Sequence, residues 1–376
     1  MAIQLFVPHF EVEECLGEIR ECLEKGWTGL GFKTVEFETK WRDYSDLPHA
    51  HFLNSNTVGL HLALNILKKK HGWMDGDEVL TTPLTFVSTN HAILYERLKP
   101  VFADVDESLC LDPDSVLERI TPNTKAVMFV GMGGNVGQYE SIRNICRERG
   151  LKLILDAAHM TGTRFNGRHV GHDADVSVFS FQAVKNLGTG DSGMICFADG
   201  ELDALARKMS WLGIDKDTYQ RTSDKGTYKW KYDVIDAGFK YHGNSIMAAI
   251  GLVQLKQLDR YNSYRSRVAQ WYREDLLGQR GIGFVPITEG CESSYHLFQV
   301  KVKNRDEVLE GLNQREIYPG VHYRDNTEYE LYSYGAKTCP YAHSVSQELL
   351  SLPIHVNLTR KDINKVAGSL VELVSG

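Results

Sequence analysis

The sequence predicts an α/β protein: a mostly parallel sheet with helices on both faces, followed by a smaller α+β C-terminal domain. Three observations carry that expectation. Between residues 56 and 200, short β-branched and apolar runs alternate with helix-patterned segments, and such alternation implies crossover connections between parallel strands. A long helix-patterned stretch, 244–277, then leads into a mixed strand and helix remainder. Finally, 376 residues with 42 % hydrophobic content, 33 Gly and 10 Pro hold enough apolar material to exclude disorder and low complexity. Domains of about 150 residues suggest two or three units in such a chain. The expected division is a large α/β domain at 1–255 and a small one at 256–376.

The elements follow in order. Val12, Leu16, Ile19 and Leu23 recur at helical intervals, and the turn-rich GWTGLG (26–31) follows them. Helix TVGLHLALNILKKK (57–70) precedes strand EVLTT (78–82), and helix TNHAILYERL (89–98) precedes strand PVFADV (100–105). Helix DSVLERI leads to strand KAVMFV, and helix YESIRNICRERG to strand LKLILD. VSVFSF (176–181) and GMICFA (193–198) read as further strands. In the remainder, YHLFQVKV reads as a strand and NRDEVLEGLNQRE as a helix. The last helix opens on the capping box Thr359-x-x-Asp362.

Composition excludes several classes of function. The net charge of −7, from 42 basic and 49 acidic residues, leaves no basic footprint for nucleic acid. No run approaches the roughly 20 apolar residues of a membrane span. The start, MAIQLFVPHFEVEE, lacks the basic region of a secretory leader. Seven cysteines, an odd number without a CxxC pair, read as reduced thiols of a cytoplasmic protein, with no zinc site.

Two motifs suggest other chemistries. DAAHM (156–160) and GDSGM (190–194) look like serine protease signatures, yet a triad is defined by geometry, and this context is a parallel α/β one. Gly131-Met-Gly133-Gly134-Asn-Val-Gly137 follows a strand and precedes a helix and a second strand ending in Asp156. That resembles a dinucleotide-binding unit, with one residue too many between the glycines. A nicotinamide-dependent oxidoreductase is therefore an alternative reading, as is a regulator that binds a cofactor without turnover.

A third constellation gathers at predicted strand ends, where open α/β sheets bind ligands. Asp156 and His159 follow one strand, Ser180 ends another, and Lys185 comes five residues later. Thr57 opens a helix, whose exposed N–H groups can hold a phosphate. Phe86 opens a second helix. Pyridoxal phosphate needs these groups: a lysine for its aldehyde, a carboxylate to keep the pyridine nitrogen protonated, phosphate donors and an aromatic cover.

The chain also resembles the DegT/StrS family of sugar aminotransferases, fold type I pyridoxal phosphate enzymes. The similarity runs through GWTGLGFKTVEFE, NSNTVGLHLAL, EVLTTPLTFVSTNHAILYERLKPVFADVD and LILDAAHMTGT. It continues in DVSVFSFQAVKNLGTGDSGM, GFKYHGNSIMAAIGLVQL, GVHY and LSLPIHVNL. The resemblance implies Lys185 as Schiff-base lysine and proton shuttle, Asp156 on the pyridine nitrogen, and His159 near the phenolic oxygen. It further implies Phe86 stacked on the ring and Asn56, Thr57, Val58 and Ser180 around the phosphate. Lys240 and His242, in the segment 240–244, would reach the cofactor of the other subunit of a homodimer, and His322 and Tyr323 would lie near the sugar. The implied activity moves an amino group, from glutamate by expectation, onto a nucleotide-linked keto sugar in two half-reactions. A polar, aromatic stretch, 213–233, is the expected cover for that sugar. Two departures stand out: GDSG where the family usually has GEGG, and Lys240-Tyr241-His242-Gly243 in the cross-subunit segment.

Overall fold

The computed structural model describes residues 2–215 and 232–375. Its centre is a seven-stranded sheet of β1 (His49–Leu53), β2 (Glu78–Thr81), β3 (Lys99–Phe102), β4 (Thr124–Val130), β5 (Lys152–Asp156), β6 (Val176–Ser180) and β7 (Gly193–Phe197), in the order β1-β7-β6-β5-β4-β2-β3. The five strands from β6 through β3 run parallel. β7 is antiparallel to both β6 and β1. The reason is local: only the loop 181–192 separates β6 from β7, and without a crossover helix the chain must come back antiparallel.

Alternation along the strands builds two cores. On β4, Val127 and Phe129 face one side of the sheet, and Ala126 and Met128 face the other. The first side is covered by α2 (Phe32–Ser45) through Phe37 and Trp41, by α6 (Tyr139–Arg149) through Ile142 and Cys146, and by the start of α8 (Ser245–Leu276). The second is covered by α3 (Asn56–His71), α4 (Val87–Tyr95) and α7 (Gly200–Met209). Each fully buried Leu or Phe on these faces contributes about 1.5–3 kcal/mol relative to exposure. Because both faces are buried, the strands read as near-continuous apolar runs. α5 (Pro113–Arg119), between β3 and β4, adds Val116 to the first core.

The long helix-patterned stretch is one helix, α8, of 32 residues. The expected boundary at 255/256 falls inside it. Its first half joins the sheet core through Ala248 and Leu252. Its second half supplies Val268, Ala269, Tyr272 and Leu276 to a third core. That core lies on an antiparallel sheet of β8 (Ile282–Phe284), β9 (Phe298–Val302) and β10 (Leu349–Leu352), with α9 (Arg305–Gln314) and α10 (Arg360–Ser375). The Thr359–Asp362 capping box forms in both directions, at 2.8 and 3.3 Å. Ile3 and Gln4 pair in parallel with Ile317 and Tyr318, tying the start of the chain to the C-terminal unit.

Two expectations change. α1 (Val12–Glu24) forms, but its apolar positions Val12, Leu16 and Leu23 face outward; Cys15 and Cys22 are buried instead. The cover segment 213–233 is described only at its ends, where Ile214 bridges Val234; residues 216–231 lie outside the described residues.

Gly193 lets β7 pass the start of α3. A β-carbon there would stand 2.8 Å from both the Asn56 nitrogen and the Phe179 carbonyl oxygen, and backbone cannot yield as a side chain can. Gly193→Ala should therefore lower stability by about 1–3 kcal/mol, read from the urea midpoint. An unchanged midpoint would refute this tight passage.

Candidate active site

The carboxyl ends of β2, β4, β5 and β6 meet the start of α3 around a cavity of about 440 Å³. Asn56, Thr57, Phe86, Asp156, His159, Ser180, Lys185, His322 and Tyr323 all line it. These nine residues, from five segments of the chain, converge on one cavity.

Asp156, the last residue of β5, is 3 % exposed. One carboxylate oxygen accepts from Thr89 Oγ1 at 2.8 Å, and the other accepts from the Ala158 N–H at 3.2 Å and from Asn56 Nδ2 at 3.5 Å. Burial pushes its carboxyl up, while Thr89, the Ala158 N–H, Lys185 and Asn56 pull the other way. Lys185 lies across the cavity, its Nζ 3.2 Å from His296 Nε2. Burial brings this amine down to about 8, with Asp156 opposing the shift. Each of these charged groups is satisfied by neutral partners, and among the described residues the two form no direct ion pair.

His159 has a defined tautomer. The Gly133 N–H donates to its Nδ1 at 3.3 Å, so the ring proton sits on Nε2, 3.1 Å from the Tyr323 hydroxyl. Burial and the Lys185 charge hold the ring well below the usual histidine range, and hence neutral. It presents an N–H donor to the cavity. His322 Nδ1 pairs with Ser351 Oγ at 3.0 Å, and burial takes this ring down to about 4. Phe86, at the start of α4, is 57 % exposed and leans on Tyr323 with ring centroids 6.0 Å apart.

At the start of α3, Ser55 caps the helix by accepting from the Val58 N–H at 3.3 Å. That corrects the expectation for Val58: its N–H is taken, and its side chain packs into the second core. Asn56, Thr57 and Ser180 line the cavity wall. Lys240 and His242 also lie elsewhere, against Trp211, with Lys240 Nζ 3.4 Å from that ring's centroid. Neither lines the cavity of its own chain.

Other lining residues escaped sequence reasoning: Phe6, Ser55, Thr85, Thr89, Gln182, Ser192 and His296. Thr89 had a signal, one helical turn after Phe86 in TFVST. Phe6 and His296 had none, since they arrive from the two ends of the chain.

The rival motifs dissolve in this geometry. Ser192 pairs with Thr189, whereas His159 bonds Gly133 and Tyr323, so the serine and the histidine of these two motifs do not pair with each other. Residues 131–137 are buried throughout. A β-carbon at Gly134 would lie 2.7 Å from Ser294 Oγ, and one at Gly137 2.5 Å from Cys110 Cβ. These glycines pack against protein and leave no groove for a pyrophosphate.

The donors fit pyridoxal phosphate. A buried carboxylate and a buried amine face one cavity without touching, an imidazole N–H points inward, and a helix start with a serine supplies anion donors. The cavity volume lies within the range of about 300–1,000 Å³ usual for such ligands.

Comparison with known proteins agrees. Residues 10–371 match the profile of the DegT/DnrJ/EryC1/StrS aminotransferase family. The chain is 33 % identical to the spore coat polysaccharide biosynthesis protein SpsC of Bacillus subtilis, covering 97 % of this chain and 95 % of SpsC. The crystal structure of the aminotransferase TlmJ from Streptoalloteichus hindustanus superposes with a TM-score of 0.91 at 31 % identity, covering 100 % of this chain and 99 % of TlmJ. The PLP-form of Spr1654 from Streptococcus pneumoniae, a protein assigned as a sugar aminotransferase, gives 0.91 at 25 %, covering 100 % and 99 %.

A buried amine near 8 has a measurable consequence. Its ordinary value is 10.5, so between about 8 and 10.5 the unfolded chain binds a proton that the folded chain does not. Stability of the coenzyme-free protein should rise with pH across this window. Lys185→Met should flatten that rise in urea titrations; parallel curves would place the amine in water.

Proposed function

The chain belongs to the DegT/DnrJ/EryC1/StrS aminotransferase family and is a pyridoxal-phosphate-dependent sugar aminotransferase, and from that premise we propose that it moves an amino group from glutamate to a nucleotide-linked keto sugar. The observation that carries the chemistry is the shared cavity of Lys185 and Asp156, one amine and one carboxylate held apart. When bound, the coenzyme supplies an electrophilic aldehyde and a ring that takes up electrons.

The residues have distinct tasks in this reading. Asp156, braced by Thr89 and Asn56, keeps a proton on the ring nitrogen, because a nearby negative charge favours the cationic form. His159 Nε2, which faces the Tyr323 hydroxyl, would donate to the ring's oxygen. The Asn56 and Thr57 N–H groups and Ser180 hold the phosphate at the positive end of α3. Phe86 covers the ring face, a contact worth about 0.5–1.5 kcal/mol beyond buried area. Lys185 Nζ would take the proton from the substrate carbon that bears the nitrogen and return it to the carbon on the other side of that nitrogen. An amine near 8 suits that work, since a general base performs best when its pKa lies close to the working pH. His322 and Tyr323 line the sugar side. A large coenzyme-holding unit (1–255) and a smaller C-terminal unit (256–376) form part of the same proposal.

A homodimer with shared sites completes the reading. Lys240 is exposed, and Leu212, Val234 and Ile235 nearby are 44, 55 and 46 % exposed. The α1 face adds Val12, Leu16 and Leu23. Exposed apolar side chains in this number suit an interaction surface. No described helix is long and apolar enough to cross a membrane. All seven cysteines are free, which suits the cytoplasm.

Glutamate with a panel of keto sugar nucleotides should give amine transfer to at least one, and Lys185→Ala should lower kcat by about 10²–10⁴-fold. Coenzyme binding with no transfer to any acceptor would favour a non-catalytic regulator. Shared sites have their own test. Lys240→Ala subunits mixed with Lys185→Ala subunits should recover activity that neither has alone, because one site per hybrid is then intact. No recovery in verified hybrids would refute the cross-subunit role.

A further inference from the structure

His296 lies at the centre of a hydrogen-bond chain that the proposed mechanism does not use. Its Nε2 is 3.2 Å from Lys185 Nζ, and its Nδ1 is 3.1 Å from Asn186 Oδ1. The orientation of Asn186 is set by its other end. Asn186 Nδ2 donates to the Ser294 carbonyl at 2.7 Å and to Asn262 Oδ1 at 2.8 Å. A flipped amide would set its oxygen against a carbonyl oxygen. Asn262 is fixed in the same way, since its Nδ2 donates to the Thr161 carbonyl at 3.0 Å. With both Asn186 amide hydrogens committed, Asn186 Oδ1 can only accept. His296 Nδ1 must therefore carry the ring proton, and the Nε2 lone pair faces the amine.

The ring is held on its faces too. Phe6 stacks on it with centroids 5.2 Å apart and planes 5° from parallel, and His159 lies 4.5 Å away by centroid. His296 is 3 % exposed, and burial together with the Lys185 charge keeps it well below the usual histidine range. The titratable groups around it are Lys185, His159, His322 and Arg265, with no carboxylate among those that shift it. A positive charge here would be repelled by Lys185 and Arg265, the two cations among them.

We propose that His296 is a positioning residue for Lys185: a neutral, tautomer-locked acceptor that takes one N–H of the amine and so aims its lone pair into the cavity. The ring acts as a fixed acceptor, not as a base, because accepting a proton would create an imidazolium beside Lys185. An acceptor placed on an ammonium also favours that form. Removing it should lower the titration midpoint of Lys185 as well as leave the amine free to turn. This inference rests on the role given to Lys185, yet its first test does not require turnover.

In the coenzyme-free protein, ring nitrogen NMR should show His296 protonated at Nδ1 and bare at Nε2 throughout the range where ordinary histidines titrate. An Nε2–H tautomer or an imidazolium would overturn the proposal. The midpoint of Lys185 is then read from its pH-dependent reaction with trinitrobenzenesulfonate, with Lys185→Ala as background. His296→Phe should shift it down by about 0.5–1 pH unit and lower kcat by about tenfold or more with little change in KM. His296→Gln, which keeps an acceptor at the ε position, should restore most of both. A Phe variant that matches the wild type, or a Gln variant as impaired as Phe, would overturn it. If only the sugar assignment is wrong, the tautomer and the midpoint shift stand while kcat on sugars is silent.

Discussion

A carboxylate and an amine are buried on one cavity, Asp156 at the end of β5 and Lys185 on the loop after β6, and they are kept from pairing. Burying either alone would be costly. Each is stabilised by neutral groups: Thr89, Asn56 and a backbone N–H on the acid, His296 on the amine. The consequence is electrostatic. Desolvation raises the acid and lowers the amine, so both stand ready to interact with a ligand that carries a positive ring nitrogen and an electrophilic carbon.

The sheet makes this separation possible. Parallel strands end together on one edge, and each crossover returns to the opposite edge, so the loops collect above the carboxyl ends. β5 delivers Asp156 and His159, β6 delivers Ser180 and Lys185, and the turn after β2 delivers Phe86 and Thr89. β7 breaks the parallel order, and that break matters locally. Running antiparallel between β1 and β6, it brings Gly193 beneath the first turn of α3 and lets the start of that helix reach the same edge.

The glycine-rich loop after β4 shows why a motif needs its surroundings. Its glycines are present because Met160, Ser294 and Cys110 press against the backbone at Gly131, Gly134 and Gly137. One of its N–H groups orients His159. The loop shapes the active site from behind and binds no dinucleotide.

The sequence alone determined the layer architecture and several of the residues that line the cavity above the large sheet. Both are encoded locally: the period of the apolar pattern sets the elements, and strand-end positions set Asp156, Ser180 and Lys185 on one edge. Local pattern could not say which face of α1 is buried, since Val12, Leu16 and Leu23 have the right spacing and the wrong side. Nor could it show that Ser55 consumes the Val58 N–H, which depends on cap geometry. Tertiary structure decided the arrival of His296 and Phe6. They lie 111 residues after and 179 residues before Lys185 in the chain, and only docking of the C-terminal unit, with Ile3 and Gln4 paired to its Ile317 and Tyr318, brings them to the amine. Contacts between such distant segments depend on how whole elements pack, and no short stretch of sequence carries that information.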